Sequence, residues 1–322
     1  MPLLTGLEAN ANIMLPEGKG RMQGAIGRFM DDVYLMVDPT GREADIGNTA
    51  LQKASTIGQI IWTLRQANPG MSPYSYAVQA HGIYMGPDRA DRFLDVLAKA
   101  EELDDGSPKA PPEELSEDFK VAFADKCSNE TDEDARVIWA KLLNGERERP
   151  GTFSKRTMDI LSTLDKTTIG RFQKLCSVCL GDVKGIGVAS TEKPIPLLMY
   201  DGETKVSYDD GLLLVTDIRE LEAAGLLFCG LRSTFSRPEY VLFGINGDPY
   251  AAKSEEGGDV KISFDEAVLS DAGCQLSNLC SVGCCEGLPA LFAKKVRKDG
   301  FTPFKLTPSE NQGTFVLEEM EQ

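Results

Sequence analysis

The hydrophobic period of this chain changes near residue 183, and that change limits what its two parts can fold into. Upstream, apolar residues recur three or four apart, the repeat that gathers them on one face of a helix. Met22, Ile26, Phe29, Met30 and Val33 follow it, as do Leu51, Ala54, Ile57, Ile60, Ile61 and Leu64, and a third pattern spans Ala90 to Leu103. Leu115, Phe119, Ala122, Phe123 and Cys127 share one face, and Ala135, Ile138, Trp139, Leu142 and Leu143 share another. Met158, Leu161 and Leu164 continue the series, followed by Ile169, Phe172, Leu175, Cys176 and Cys179. Downstream, "VKGIGVAS", "PIPLLMYD" and "YVLFGIN" are short apolar runs between turn residues, the pattern of strands. "LLLVTDIRELEAAGLLF" reads as a helix ending at Gly225 and then a strand. "KISFDEAVLSDAGCQLSNLC" reads as a strand and a helix, and "LPALFAKKVRKDGFTPFKLTP" as a helix and a strand. The expected fold class is mainly α with a smaller α+β part.

The chain has 322 residues, enough for two or three domains. "ELDDGSPKAPPEELSED" mixes Gly106, three prolines and many carboxylates, a composition that packs poorly and reads as a linker. The expected organisation is a helical N-terminal domain over 1–105, an acidic linker over 106–112, a helical unit over 113–181 and an α+β region over 182–322. In that last region a helix, "AAGLLF", two antiparallel-looking strands and "LSDAGCQL" follow one another in the order of a winged-helix domain.

One turn stands out by charge. "WAKLLNGERERPGTFSKRTMDIL" ends one apolar pattern and opens another, with Arg147, Arg149, Lys155 and Arg156 between them. Residues 136–174 hold nine basic and four acidic side chains, a net +5, whereas residues 101–134 hold thirteen carboxylates and three lysines, a net −10. Trp139 is expected in the core, Gly145 as the residue just past the helix end, Gly151 in the turn and Ser154 as the next helix's cap. Arg156 falls in a first helical turn, where the dipole gives a cation no reason to sit. It is expected to be compensated by Glu146 or Asp134 as a structural brace. The competing reading makes Arg147, Arg149, Lys155 and Arg156 a patch for a small anion or a partner.

Chemistry is sparse elsewhere. The net charge of −16 argues against a protein that mainly coats nucleic acid, because such binding rests on Lys and Arg neutralising phosphates. No window reaches about 18 consecutive apolar residues, the length of a membrane-spanning helix. The first twenty residues have no basic stretch ahead of an apolar run, so no secretory leader is expected and the cytoplasm is the expected compartment. The eight cysteines are then expected as reduced thiols. Cys176-x-x-Cys179 lies on an apolar helical face, and Cys280, Cys284 and Cys285 lie about a hundred residues away, so buried thiols are expected rather than a zinc knuckle. The one histidine, His81, excludes sites that need two. No catalytic residue, metal site or cofactor is assigned.

"DEDARVIWAKLLNGERERPGTFSKRTMDIL" resembles the signature of a bacterial family, domain of unknown function 2806. In that family a helix ends in W-A-x-[IL]-L-x-G-E, and x-x-P-G-[ST]-[FY]-S-x-R-T-[LM] opens the next. Trp139, Ala140, Leu142, Leu143, Gly145, Glu146, Pro150, Gly151, Phe153, Ser154, Arg156 and Thr157 match. "ELEAAGLL" and "LSDAGCQL" are similar to later segments of the family, so the resemblance extends over about 112–310. The layout is also similar to alpha-type abortive-infection proteins, which implies a bacterial protein associated with phage defence or prophages. The resemblance implies no activity. The expected function is a non-enzymatic interaction or sensing protein with a protein partner or self-association and no membrane. The alternatives are a winged-helix DNA-associated regulator and a hydrolase or nuclease whose site the sequence hides.

Overall fold

The computed structural model describes residues 83–104, 115–181, 193–198, 200–201, 205–206, 213–245, 247–255, 257–264, 267–280, 285–308 and 315–320, with a few helical and turn positions between 60 and 80. The pattern around Met22–Val33, the linker 106–112, His81, Cys284 and "VKGIGVAS" lie outside the described residues. The chain divides into two compact units, residues 1–162 and 163–322.

The described part of the first unit is helical: α1 (Pro87–Glu102), α2 (Glu117–Cys127), α3 (Glu133–Glu148) and α4 (Lys155–Leu161). Proline at the first helical position opens α1, where its missing N–H costs nothing. Ala90, Phe93, Leu97 and Ala100 then face inward at helical spacing. Ser116 caps α2 by accepting from Phe119 N at 3.2 Å, and Asp132 caps α3 by accepting from Ala135 N at 3.0 Å. α1 is tied to α3 by Arg136 Nε against Asp95 Oδ2 at 2.6 Å and by Asn144 Nδ2 donating to Ala100 O at 2.7 Å. Arginines also close the end of α2, where carbonyls lack helical partners. Arg89 donates to Asp125 O at 3.1 Å and Arg92 to Ser128 O at 2.9 Å.

The second unit begins with α5 (Lys166–Cys176) and contains α6 (Val215–Ala223), α7 (Asp271–Ser277) and α8 (Leu288–Lys298). Its main sheet is four-stranded and antiparallel, in the order β13 (Phe315–Glu319), β12 (Thr302–Pro308), β9 (Asp248–Lys253), β8 (Tyr240–Ile245). A second antiparallel pair joins β7 (Ser233–Pro238) to β10 (Asp259–Phe264), so the β8–β9 hairpin is nested inside it. Shorter antiparallel pairings join β1 (Cys179–Leu180) to β2 (Ile195–Pro196), β3 (Tyr200–Asp201) to β4 (Lys205–Val206), β4 to β5 (Leu213–Leu214), and β6 (Leu227–Cys229) to β11 (Ala267–Leu269). The core between α8 and the strands is aromatic: Phe243 meets Phe292 edge-on at 5.5 Å and Phe264 at 5.7 Å. Arg171 on α5 pairs with Asp217 on α6 at 2.7 Å and with Glu220.

This corrects the expected fold class. Of the described residues 49% are helical and 25% are in strands, so the protein is not mainly α. Nor is the C-terminal region the three helices and small wing expected of a winged-helix domain. It is built on a four-stranded sheet beside the β7–β10 pair. The missed strands carry weak signals. β7 has one large apolar residue, Phe235, and β9 buries two alanines, Ala251 and Ala252, which have little strand preference.

The two later segments of the family resemblance meet here. Gly225 ends α6 with φ 79°, the left-handed conformation that glycine adopts without penalty. Ser270, the cap of α7, donates its hydroxyl to Gly225 O at 2.6 Å and its N–H to Leu226 O at 3.0 Å. Gly273 then lies so close to this chain that a Cβ on it would stand 1.9 Å from Leu226 O. Gly273→Ala must displace backbone rather than a side chain, and it is expected to cost about 2–3 kcal/mol as an overpacking change. A thermal melt checks this, and Cys274→Ala, one residue along, should cost less.

Candidate functional site

The arginine-rich turn is built from the end of α3 and the start of α4. α3 runs through Gly145 to Glu148, and the N–H of its C-cap Arg149 bonds Gly145 O at 3.1 Å. Gly145 is therefore inside the helix and not just past its end. The residue that needs glycine is Gly151, at φ 86°. Thr152 closes the turn, its N–H and hydroxyl both bonding Arg149 O, at 3.2 and 2.6 Å. Ser154 caps α4, accepting from Thr157 N at 3.1 Å.

Glu146 holds the turn. It is 2% exposed; Oε1 accepts from Gly151 N at 2.6 Å and Oε2 from Phe153 N at 2.9 Å. A carboxylate on two backbone N–H groups makes charge-assisted bonds, stronger than neutral ones. Beneath it Trp139 is fully buried, edge-on to Phe123 at 5.8 Å. The sequence offered Glu146 or Asp134 as the partner of Arg156, yet both oxygens of Glu146 face backbone donors. Partners on the main chain leave no mark in residue types. The one available signal was the spacing from Glu146 to a glycine five residues on.

The four basic residues are treated differently by the fold. Arg147 sits half-buried in the last turn of α3, where a cation meets the negative end of the helix dipole. Lys155 pairs with Asp118 at 2.9 Å, both largely exposed. Arg149 and Arg156 are exposed and have no carboxylate partner among the described residues. Arg156 is therefore not the brace that the sequence suggested. Guanidinium stays charged and cannot give up its proton at neutral pH, so this turn offers charge and hydrogen-bond donors.

The second unit has a groove of mixed charge, lined among others by Tyr250, Lys294, Arg297, Lys305, Glu318 and Met320. Two of its cations are engaged within the protein. Arg297 donates to Met320 O, and Lys305 pairs with Asp248 at 3.3 Å and lies over the Tyr250 ring. None of the seven described cysteines is in a disulfide. Burial pushes the Cys127 thiol well above its ordinary range, and burial with a hydrogen bond to Glu222 holds Cys229 at about 11. The neighbouring Cys280 thiol and burial push the Cys176 thiol up, and the Cys280 Sγ donates to Leu276 O at 3.6 Å. Among the described residues no group of three or more His, Cys, Asp and Glu side chains is arranged to hold a metal ion, and no helix is long and apolar enough to cross a membrane.

The fold and site define an α+β protein whose helical first unit presents an arginine-bearing turn locked by a buried glutamate. Residues 95–231 match the family described as Protein of unknown function (DUF2806). The match includes the whole α3–α4 turn and the "ELEAAGLL" segment. It begins and ends earlier than the 112–310 range read from the sequence. No curated protein and no solved structure matches the chain.

Proposed function

We propose that this protein is a non-catalytic interaction or sensing protein that engages an acidic protein partner through the α3–α4 turn. The observation that carries this reading is the contrast within one rigid turn. Glu146 satisfies the backbone, while Arg149 and Arg156 stand exposed without carboxylate partners among the described residues, in a chain of net charge −16. Arg136, Lys155 and Arg171, in the same basic segment, all pair within the protein. Ordering of the turn before contact lowers the entropy lost on binding.

The test uses fluorescein-labelled poly-L-glutamate as an acidic probe, read by anisotropy at low salt, beside a labelled DNA duplex. Wild-type protein is expected to bind poly-L-glutamate, and more weakly as salt rises. Reversing both charges, Arg149→Glu with Arg156→Glu, should weaken binding about tenfold, since each exposed pair is worth up to about 1 kcal/mol. The melting temperature should stay within about 1 °C, as surface changes away from packing seldom matter. Unchanged binding by the double variant would overturn the reading. Tight duplex binding that needs the same arginines would replace the acidic partner with nucleic acid.

A further inference from the structure

The four-stranded sheet has two edges, and they are treated differently. At the β8 edge Gly244 exchanges both backbone bonds with Gly181, at 2.8 and 2.9 Å. At the opposite edge β13 pairs with β12 on one side and with no strand on the other among the described residues. An open strand edge is a template for another strand, and proteins usually guard it with charge, proline or a bulge. β13 carries charge only in its second half, where Glu318 and Glu319 are exposed. In its first half Val316 and Leu317 are consecutive, so they point to opposite faces, and both are half exposed.

The mixed-charge groove of this unit runs beside the open edge. β12 turns back after α8 at Gly300, φ 84°, and β13 turns back again, so β13 follows the direction of α8. Arg297, in the last turn of α8, donates to Met320 O and holds the two ends together. α8 lines the groove with the small residues Pro289, Ala290 and Ala293, and β13 with Glu318, Glu319 and Met320 beyond them. Pro289 to Arg297 spans about 12 Å of helix, and β13 spans about 13 Å of strand, so a strand added to the edge would lie along the groove. Glu318 accepts from the Thr307 hydroxyl at 3.2 Å, two residues along β12 from the groove residue Lys305, so Val316 and Glu318 share the groove's face. Leu317 shares the other face with Phe315, which packs against Leu242, Ala251 and Leu306.

Charge identifies the occupant. Three carboxylates of the groove, Glu286, Glu318 and Glu319, have no ion pair among the described residues, against one lysine, Lys294, in the same state. We infer that the free edge of β13 binds an extended, basic segment of another protein as an added antiparallel strand. Apolar residues of that segment lie against Val316 and Leu317, and lysine or arginine against Glu318 and Glu319. Main-chain bonds supply the affinity, and the alternate side chains select the partner. The side chain across from Val316 enters the groove, where the small Ala290 and Ala293 leave it room. A second copy of β13 fits less well, because it would bring two more carboxylates to an edge that already has two. This inference concerns the second unit and does not rest on the arginine turn.

The experiment titrates a fluorescein-labelled peptide, Gly-Lys-Lys-Val-Val-Val-Gly, with the full chain and reads anisotropy. Aligned antiparallel, its lysines fall opposite Glu319 and Glu318 and its valines opposite Leu317, Val316 and Phe315. The wild type is expected to bind it. The same peptide with N-methylated valines should bind about tenfold more weakly, because it keeps the charges and loses donors of the ladder. Glu318→Lys with Glu319→Lys should reverse the preference, toward a peptide with glutamates in place of the lysines. Equal binding of the plain and N-methylated peptides would reduce the effect to attraction by an acidic chain and overturn the inference. An unchanged preference in the double variant would place the site elsewhere and overturn it as well. Failure of the wild type to bind the peptide also contradicts it. Sedimentation showing a dimer that Leu317→Lys dissolves would then give the edge to a second copy. The plain and N-methylated pair decides on wild-type protein even if a variant fails to fold.

Discussion

Glu146→Ala is expected to lower the stability of the first unit by about 3–5 kcal/mol. Hydrogen bonds to a charged acceptor contribute about 1.5–3 kcal/mol each, and this side chain accepts two, from Gly151 and Phe153. The two losses differ. Gly151 is exposed, so its N–H can turn to water. Phe153 is 6% exposed, so its N–H is left buried without an acceptor, the more costly outcome. Glu146→Gln keeps the shape and one acceptor oxygen but aims an amide donor at the other N–H, so it should recover about half. Urea unfolding followed by circular dichroism checks both, with the midpoint moving and the slope unchanged.

Trp139→Ala is expected to cost about 3–5 kcal/mol, the usual range for removing a large buried aromatic. Trp139 is 0% exposed and shares an aromatic chain with Phe123 and Phe119, which stack at 5.6 Å. Trp139→Phe should recover most of that cost for a specific reason. The indole Nε1 is buried with no hydrogen-bond partner among the described residues, so phenylalanine removes an unsatisfied donor while keeping the edge contact. A smaller loss for phenylalanine than for alanine, measured in the same denaturant series, is the expected pattern. Equal losses would mean that the indole makes a polar contact.

The helices of the first unit were legible because their residues report their own environment. Phe119, Phe123 and Cys127 recur at helical spacing and all are buried, and Ser154 and Asp132 stand where caps belong. Gly145 misled because glycine is far commoner just past a helix end than within the last turn. The site itself was half legible. The excess of arginine at the turn was visible, but its sorting into paired and unpaired side chains was not. Asp95, which neutralises Arg136, lies forty-one residues earlier, and Asp217, which neutralises Arg171, lies forty-six residues later. Pairings over such distances depend on tertiary packing. The same holds for Gly273, whose need for a missing side chain is set by the carbonyl of Leu226. In the second unit β13 was missed because Val316 and Leu317 are half exposed, at 50% and 44%, and carry no alternation.

If Glu146 holds the turn and the two exposed arginines do the binding, a titration of ¹⁵N-labelled protein with poly-L-glutamate followed by NMR separates the two roles. The guanidinium Nε–H resonances of Arg149 and Arg156 should shift with added probe, while the amides of Gly151 and Phe153, already bonded to Glu146, stay in place. Shifts at the Gly151 and Phe153 amides with the arginines unmoved would show the probe displacing Glu146. Shifts confined to Lys294 and Lys298 of α8 would move the binding site to the second unit. Either result would contradict the assignment of the α3–α4 turn.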